Sequence, residues 1–260
     1  ISDGSGIVST LTGADTDNTW NIDGADSGTL NGTVFSGMAN LVGGILVDTF
    51  NIGAVGTLSG AITGGTGIDL ITQADGINTW NITAPDVGTV TDITGAFSEI
   101  ENLTGGTGDD TFNIFSGGEL SFDIDGGGGT GIDEITQADG TNIWVITADN
   151  VGSVTDITGA FSDIENLTGG SGIDTFNVSS GNLSGNLSGA AGNDNFVFSD
   201  TRTIGGNVDG GADTDTLDVD DYGTNVDFTI SGAGSVDGLA GSTSATPINP
   251  VGGTFDNIDS

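Results

Sequence analysis

The sequence predicts an all-β chain wound as a right-handed parallel β-solenoid, or β-helix, with stacked turns of roughly 20 residues. Three observations lead there: short segments that alternate apolar and polar residues, Gly-rich corners between them, and long internal repeats.

The strand-like segments recur along the whole chain. D-T-F-N-I stands at 48–52 and 110–114, D-T-F-N-V at 174–178, and N-T-W-N-I at 18–22 and 78–82. D-N-F-V-F at 194–198 and D-T-L-D-V at 215–219 follow the same form. Apolar residues two apart flank a polar one, which is the period of a strand with one buried face. Phe112 and Ile114 are expected to point inward, Thr111 and Asn113 outward. Thr, Val, Ile and Phe all suit a pleated surface. The corners are G-G-T-G, G-G-S-G, S-G-G and D-G-G-G-G, which supply backbone conformations with positive φ. No stretch has a convincing helical period, and frequent Gly disfavours helix throughout. The strands are therefore expected to stack in parallel, about 4.8 Å apart, through corners and without hairpins.

The long repeats set the domain organisation. Gly64 to Ile114 aligns with Gly128 to Val178 at an offset of 64, with about 40 of 51 positions identical. Trp80 pairs with Trp144, Phe97 with Phe161 and Phe112 with Phe176. A divergent copy precedes them and another follows. One solenoid domain of four long repeats is expected: 1–63, 64–127, 128–190 and 191–260. The segment 238–253 contains two of the three prolines and is expected to leave the coil as a protruding loop.

The two ends match one motif. F-x-x-I-E-N-L-T-G-G-x-G runs from Phe97 to Gly108 and from Phe161 to Gly172. Read end to start, the chain gives F-D-N-I-D-S followed by I-S-D-G-S-G, with Phe255, Ile258, Gly4 and Gly6 in register and Ile1 at the apolar position. The expectation is one period of a longer array. Copies would join end to end, as a covalent tandem or a non-covalent fibre, through Ile1, Gly4, Gly6, Phe255 and Ile258.

Charge excludes several function classes. There are 37 acids against one base, Arg202, for a net charge of −36. Phosphate binding needs Lys or Arg, so no nucleic-acid partner is expected. No apolar run approaches the about 20 residues of a membrane span. His, Cys and Lys are absent, which removes Ser-His-Asp, Cys-His and Schiff-base chemistry. Acid pairs such as Asp109–Asp110 and Asp220–Asp221 are what an acid-rich chain yields by chance. No enzyme is expected.

The sharpest motif is G-G-x-G-x-D-x-(apolar)-x. It places Asp69, Asp110, Asp133 and Asp174 at one fixed position, with degenerate forms at Asp194 and Asp215. This resembles the nonapeptide of the RTX toxin and adhesin family, whose parallel β-roll binds Ca²⁺. Gly turns can bring backbone carbonyls and a carboxylate to a hard cation. Here the motifs stand tens of residues apart instead of consecutively. Two readings stay open at these six Asp: ligands of Ca²⁺, or acceptors for turn amides. No other cofactor is expected.

The wider pattern, F-S-[ED]-I-E-N-L-T-G-G-[TS]-G-x-D-T-F-N-[IV], resembles the repeats of giant bacterial surface proteins related to filamentous haemagglutinins. The resemblance implies a secreted or surface-attached bacterial protein of adhesion, biofilm matrix or cell contact. Its function would be a structural filament or adhesin stalk. The alternative is a Ca²⁺-dependent module that binds a ligand such as cell-surface or matrix polysaccharide.

Overall fold

The computed structural model describes residues 9–260. Among them every regular element is a strand, 27 in all, and none is a helix. The chain divides into two compact units, Ile1–Gly131 and Ile132–Ser260.

Each unit contributes strands to two mostly parallel sheets. In the first unit, one sheet runs Thr10–Thr12, Asn40–Ile45, Ile62–Thr66, Phe97–Ser98, Val87–Val90, Thr79–Ala84, Thr111–Ile114. The other runs Ile124–Asp125, Asn102–Thr104, Leu70–Gln73, Asp48–Ile52, Asn18–Gly24, Ser27–Leu30, Thr33–Ser36. In the second unit, one sheet runs Glu134–Thr136, Asn166–Thr168, Leu187–Ser188, Val208–Asp209, Phe255–Ile258, Leu239–Ala245, Val226–Ala233. The other runs Thr216–Asp218, Asn195–Phe198, Thr175–Val178, Ile143–Ala148, Val151–Val154, Phe161–Ser162.

The shortest parallel pairings recur at 20 or 21 residues. Phe50 pairs with Ile71, Leu103 with Ile124, Leu187 with Val208 and Phe196 with Leu217, each 21 residues on. Leu167–Leu187 and Phe176–Phe196 are 20 apart. Other intervals are longer: Trp80 pairs with Phe112 and Trp144 with Phe176, both at 32, and Val208 with Phe255 at 47. The excess is an antiparallel hairpin inserted between parallel partners.

These hairpins overturn the expectation of a coil without them. Asn18–Gly24 pairs antiparallel with Ser27–Leu30, Thr79–Ala84 with Val87–Val90, and Ile143–Ala148 with Val151–Val154. Each turns on two residues, the second with left-handed backbone: Asp26 at φ 48°, Asp86 at 55° and Asn150 at 55°. Asp and Asn tolerate that region better than other side-chain-bearing residues. Ser27–Leu30 then returns into Thr33–Ser36 through Asn31-Gly32, at φ 49° and 78°. Two positive φ values with Asn-Gly define the hairpin turn whose twist matches its strands.

The expected loop at 238–253 is also corrected. Leu239–Ala245 is a strand, antiparallel to both Val226–Ala233 and Phe255–Ile258. Its small Ser, Thr, Ala and Gly residues alternate burial, with Gly241 and Thr243 inside. Gly241 fits because a Cβ there would lie 2.5 Å from the Phe255 ring. Only the Pro-containing remainder, 246–254, lies outside a strand.

Period-2 patterning fills the core. Trp20, Trp80 and Trp144 are fully buried, as are Phe50, Phe112, Phe176 and Phe196. In-register parallel pairing lays like rings over one another. Trp20 stacks on Phe50, Trp80 on Phe112 and Trp144 on Phe176 at 5.5–5.6 Å, and Phe176 on Phe196 at 5.0 Å. Phe35, Phe97 and Phe161 meet the same Trp residues edge-on at 6.1–6.4 Å. Such pairs add about 0.5–1.5 kcal/mol beyond area burial. Each Trp Nε1 is buried without a hydrogen-bond partner, which offsets part of that gain.

The stack generates a stability prediction. Trp80→Ala opens a cavity between Phe97 and Phe112 and is expected to cost about 3–5 kcal/mol. Trp80→Phe restores the ring, removes the unpaired donor and is expected to cost under about half as much. Denaturant titration checks this; equal losses for the two variants would contradict the stacking account.

Candidate functional site

The Asp of G-G-x-G-x-D sits at the start of a strand, where the chain enters from a corner. The N–H there points along the sheet but lacks a strand partner. The carboxyl of the equivalent residue one interval later accepts it. Asp48 N donates to Asp69 Oδ1 at 2.7 Å, and Asn78 N to Asp110 Oδ1 at 2.8 Å. Asn142 N donates to Asp174 Oδ1 at 2.9 Å, Asp174 N to Asp194 Oδ1 at 2.7 Å, and Asp194 N to Asp215 Oδ1 at 2.8 Å. Three rungs use the acid of F-x-x-I-[ED]: Asp69 N donates to Glu101 Oε2, Asp133 N to Glu165 Oε2, and Asp215 N to Asp259 Oδ2, at 2.7, 2.8 and 3.0 Å. The result is a series of carboxyl rungs beside the strands, with the strand-entry Asp buried, Glu101 and Glu165 half-buried and Asp259 exposed.

All six Asp singled out in the sequence are buried: Asp69, Asp110, Asp133, Asp174, Asp194 and Asp215. Asp174, Asp194 and Asp215 follow one another, Asp69 lies between Asp48 and Glu101, and Asp110 and Asp133 form rungs with Asn78 and Glu165. Sequence reading missed Asp48, Asn18, Asn78 and Asn142, which occupy the same place. The signal was present: each stands two residues before the strand aromatic, as Asp110 stands before Phe112. Asn18 donates Nδ2 to Asp48 Oδ1 at 2.6 Å and to the carbonyls of Ala14 and Thr16 at 2.9 and 2.7 Å.

Geometry explains the first Gly of the motif. A Cβ on Gly64 would lie 2.5 Å from Asp69 Oδ2 and 1.9 Å from the Glu99 carbonyl oxygen. At Gly105, Gly169, Gly189 and Gly210 the Asp five residues on comes within 2.1–2.5 Å of the same point. The carboxyl fills the space a side chain would take. Gly128, before Asp133, departs from this, with no atom within 4 Å of its Cβ position.

Burial sets the electrostatics. Desolvation is the largest cause of a raised pKa at Asp48, Asp110 and Asp174, opposed by hydrogen bonds from Asn18, Asn78 and Asn142. Asp69 is pushed up to about 6 by burial, with Glu101, Asp48 and Glu99 adding repulsion against the Asp48 N–H. Asp194 is pushed up to about 7 and Asp215 to about 6, again chiefly by burial. Asp48, Asp69, Asp194 and Asp215 each keep a buried Oδ2 with no hydrogen-bond partner.

One group of three carboxyls among the described residues can hold a metal ion: Asp215, Asp237 and Asp259, with one oxygen of each within 4.8 Å of the others. Of the six sequence-selected Asp, only Asp215 belongs to it. Asp237, between Val226–Ala233 and Leu239–Ala245, stands just before the 238–253 segment expected as a loop, and only the pairing of Leu239–Ala245 with both neighbours brings it to Asp215.

The expected end-to-end residues fall differently. Ile1, Gly4 and Gly6 lie outside the described residues. Phe255 and Ile258 are buried in the strand Phe255–Ile258, 2% and 5% exposed. They form the floor of an open cavity of about 500 Å³ also lined by Leu217, Phe228, Ile230 and Leu239. Phe228, Ile230 and Leu239 are 45%, 50% and 42% exposed.

No family model, no curated protein and no solved structure matches this chain.

Two predictions follow from the ladder. Gly64→Ala is expected to destabilise the fold by several kcal/mol, about the cost of overpacking plus a displaced carboxyl, whereas Gly128→Ala stays within about 1 kcal/mol. Unfolding of the two variants under one condition checks it; similar losses would contradict the role given to the first Gly. The second concerns pH. The Asp69 carboxyl binds its proton more tightly folded than unfolded, so its contribution is full below about 3.8 and is lost as pH rises through about 6. Asp69→Asn keeps an acceptor for the Asp48 N–H without the charge. Its stability is expected to gain on the wild type between pH 4 and about 7. Parallel stability curves would remove Asp69 from the account.

Proposed function

We propose that this chain is a structural repeat unit of an extracellular bacterial filament or adhesin stalk. In this reading it is a right-handed parallel β-coil, continued end to end by strand stacking between copies of the sequence. Its role is mechanical, without turnover.

One observation carries the reading. Glu101 N and Asn102 N both donate to the Asp69 carbonyl, and Asn102–Thr104 then pairs with Leu70–Gln73. Glu165 N and Asn166 N likewise donate to Asp133 O before Asn166–Thr168 pairs with Glu134–Thr136. Asp259 N and Ser260 N donate to Asp215 O in the same way, and Leu217 N donates to Ser260 O at 2.9 Å. A strand is thus begun along the edge of Thr216–Asp218 in the register of the inner repeats. The next residue in that register would pair with Leu217, as Leu103 pairs with Ile71 and Leu167 with Ile135. The sequence I-S-D-G-S-G at the chain start supplies it: Ile1 falls at the place of Leu103, and Gly4 and Gly6 at those of Gly106 and Gly108.

The other sheet supports the same join. Phe228 meets Phe255 edge-on at 6.0 Å, as Trp80 meets Phe97. Trp80 also carries Phe112 stacked on its face, while the corresponding face of Phe228 lines the open cavity. Nine residues separate Leu103 from Phe112, and ten separate Ile1 from Leu11, so Thr10–Thr12 of a following copy would reach the edge at Val226–Ala233 with one more residue in the corner. Among the described residues Thr10–Thr12 and Val226–Ala233 each stand at the end of a sheet. Unpaired strand edges of this kind template further pairing.

A second reading, a Ca²⁺-dependent adhesion or ligand-binding module, is favoured by the Asp215, Asp237 and Asp259 group. Surface or matrix polysaccharide is the partner class that the sequence resemblance suggests for it. Binding to polysaccharide that is lost in EDTA would favour this module over the plain filament.

The test is a tandem of two copies with Ser260 joined directly to Ile1. Strand continuation predicts one cooperative unfolding transition, a midpoint above that of the single copy, and a denaturant slope near the sum of two. Two copies that unfold independently at the single-copy midpoint would refute the join.

A further inference from the structure

We propose that Asp215, Asp237 and Asp259 form a Ca²⁺ site that ties the tip of the last hairpin to the final rung of the carboxyl ladder. The three residues come from separate segments: the entry to Thr216–Asp218, the turn between Val226–Ala233 and Leu239–Ala245, and the residue after Phe255–Ile258. One oxygen of each lies within 4.8 Å of the others. Two oxygens reaching across a Ca²⁺ ion at about 2.3–2.6 Å each span roughly that distance.

The hydrogen-bond inventory sets this group apart from the plain rungs. Asp215 Oδ1 accepts Asp194 N, Asp237 Oδ2 accepts Asp213 N at 3.1 Å, and Asp259 Oδ2 accepts Asp215 N. That leaves Asp215 Oδ2 and Asp237 Oδ1 buried with no hydrogen-bond partner, Asp215 itself being 0% exposed. Asp215 Oδ2 faces Gly210 as the equally unpaired Asp69 Oδ2 faces Gly64, so Asp237 Oδ1 is the unpaired oxygen peculiar to this group. Buried carboxylate oxygens are ordinarily hydrogen-bonded or metal-bound. The charges that act on Asp215 are all acids, Asp259, Asp237 and Asp213, and the chain's single basic side chain, Arg202, is not among them. Asp259 is exposed, which gives an ion a path from solvent and leaves room for the waters that complete six to eight ligands. Oxygen-only donors exclude a preference for soft metals, and Mg²⁺ sheds its water reluctantly.

The other repeats act as internal controls. Asp69 with Glu101, and Asp133 with Glu165, make the same backbone-to-carboxyl rung. Neither belongs to a group of three carboxyls. Asp237 is therefore the residue that converts a rung into a site.

This inference is independent of the end-to-end reading, because it is tested on single copies in dilute solution. Calorimetric titration of the full chain with Ca²⁺ at 150 mM NaCl is expected to show one saturable site above a weak, multi-site background. Asp237→Asn, whose side-chain oxygen still accepts the Asp213 N–H, is expected to weaken that site at least tenfold, while Asp69→Asn leaves it unchanged. In parallel, Ca²⁺ is expected to raise the unfolding temperature of the wild type and of Asp69→Asn, but not of Asp237→Asn. If Asp237→Asn fails to fold, Asp259→Asn takes its place with the same expectation. Identical weak titrations for wild type and variants would mean an adventitious ion only and would overturn the site.

Discussion

The interaction on which the fold rests is a buried carboxyl accepting the backbone N–H at the strand entry one interval earlier. A stack of parallel strands leaves one such N–H at every corner, and leaving it unpaired costs about 1–3 kcal/mol. A carboxyl has four lone-pair positions on a short stem, so it can reach a neighbouring interval without adding a strand. The cost is desolvation, seen in the raised pKa of Asp69 and its relatives. The chain has one base, and the charges that act on Asp69, Asp194 and Asp215 are all acids. Backbone N–H groups offset the desolvation in part, and Asn at positions 18, 78 and 142 fills the same place without charge.

The aromatic stacks, the Gly spacing and the chain end all follow from this frame. Fixing one N–H to the residue 20, 21 or 32 positions on fixes the register of the strand that begins there. Fixed register lays Trp on Phe and Phe on Phe. It also requires that the carboxyl have room, which is why Gly stands five residues before Asp69, Asp110, Asp174, Asp194 and Asp215. Extra residues enter as hairpins between partners, where they leave the register of the parallel strands intact. At Asp215 the frame is built as elsewhere, down to the two N–H groups on its carbonyl.

Much of this was legible in the sequence. Alternation in D-T-F-N-I gave the strands and their buried faces, and Phe112 and Ile114 point inward as the period requires. G-G-x-G-x-D marked the ladder positions, although the motif alone leaves amide capping and metal binding unresolved. What was not legible was spatial order. Asp26, Asp86 and Asn150 turn hairpins without the usual Gly, because their left-handed backbone is also open to Asp and Asn. Asn31-Gly32 did carry the usual signal and was passed over among many Gly corners. The small residues of Leu239–Ala245 look like a loop because Gly241 must clear the Phe255 ring. With that strand missed, neither Asp237 nor the exposed Phe228 could be placed beside Asp215 and Phe255.

The most direct measurement is residue-resolved amide hydrogen exchange. The amides of Asp48, Asn78, Asn142, Asp174 and Asp194 bond only to carboxyl oxygens one interval away. If the ladder holds the fold together, these amides exchange as slowly as those inside the parallel strands, and Asp69→Ala frees the Asp48 amide before any other. Exchange at the rate of the exposed corners would mean that the carboxyls are bystanders and that strand packing alone maintains the register.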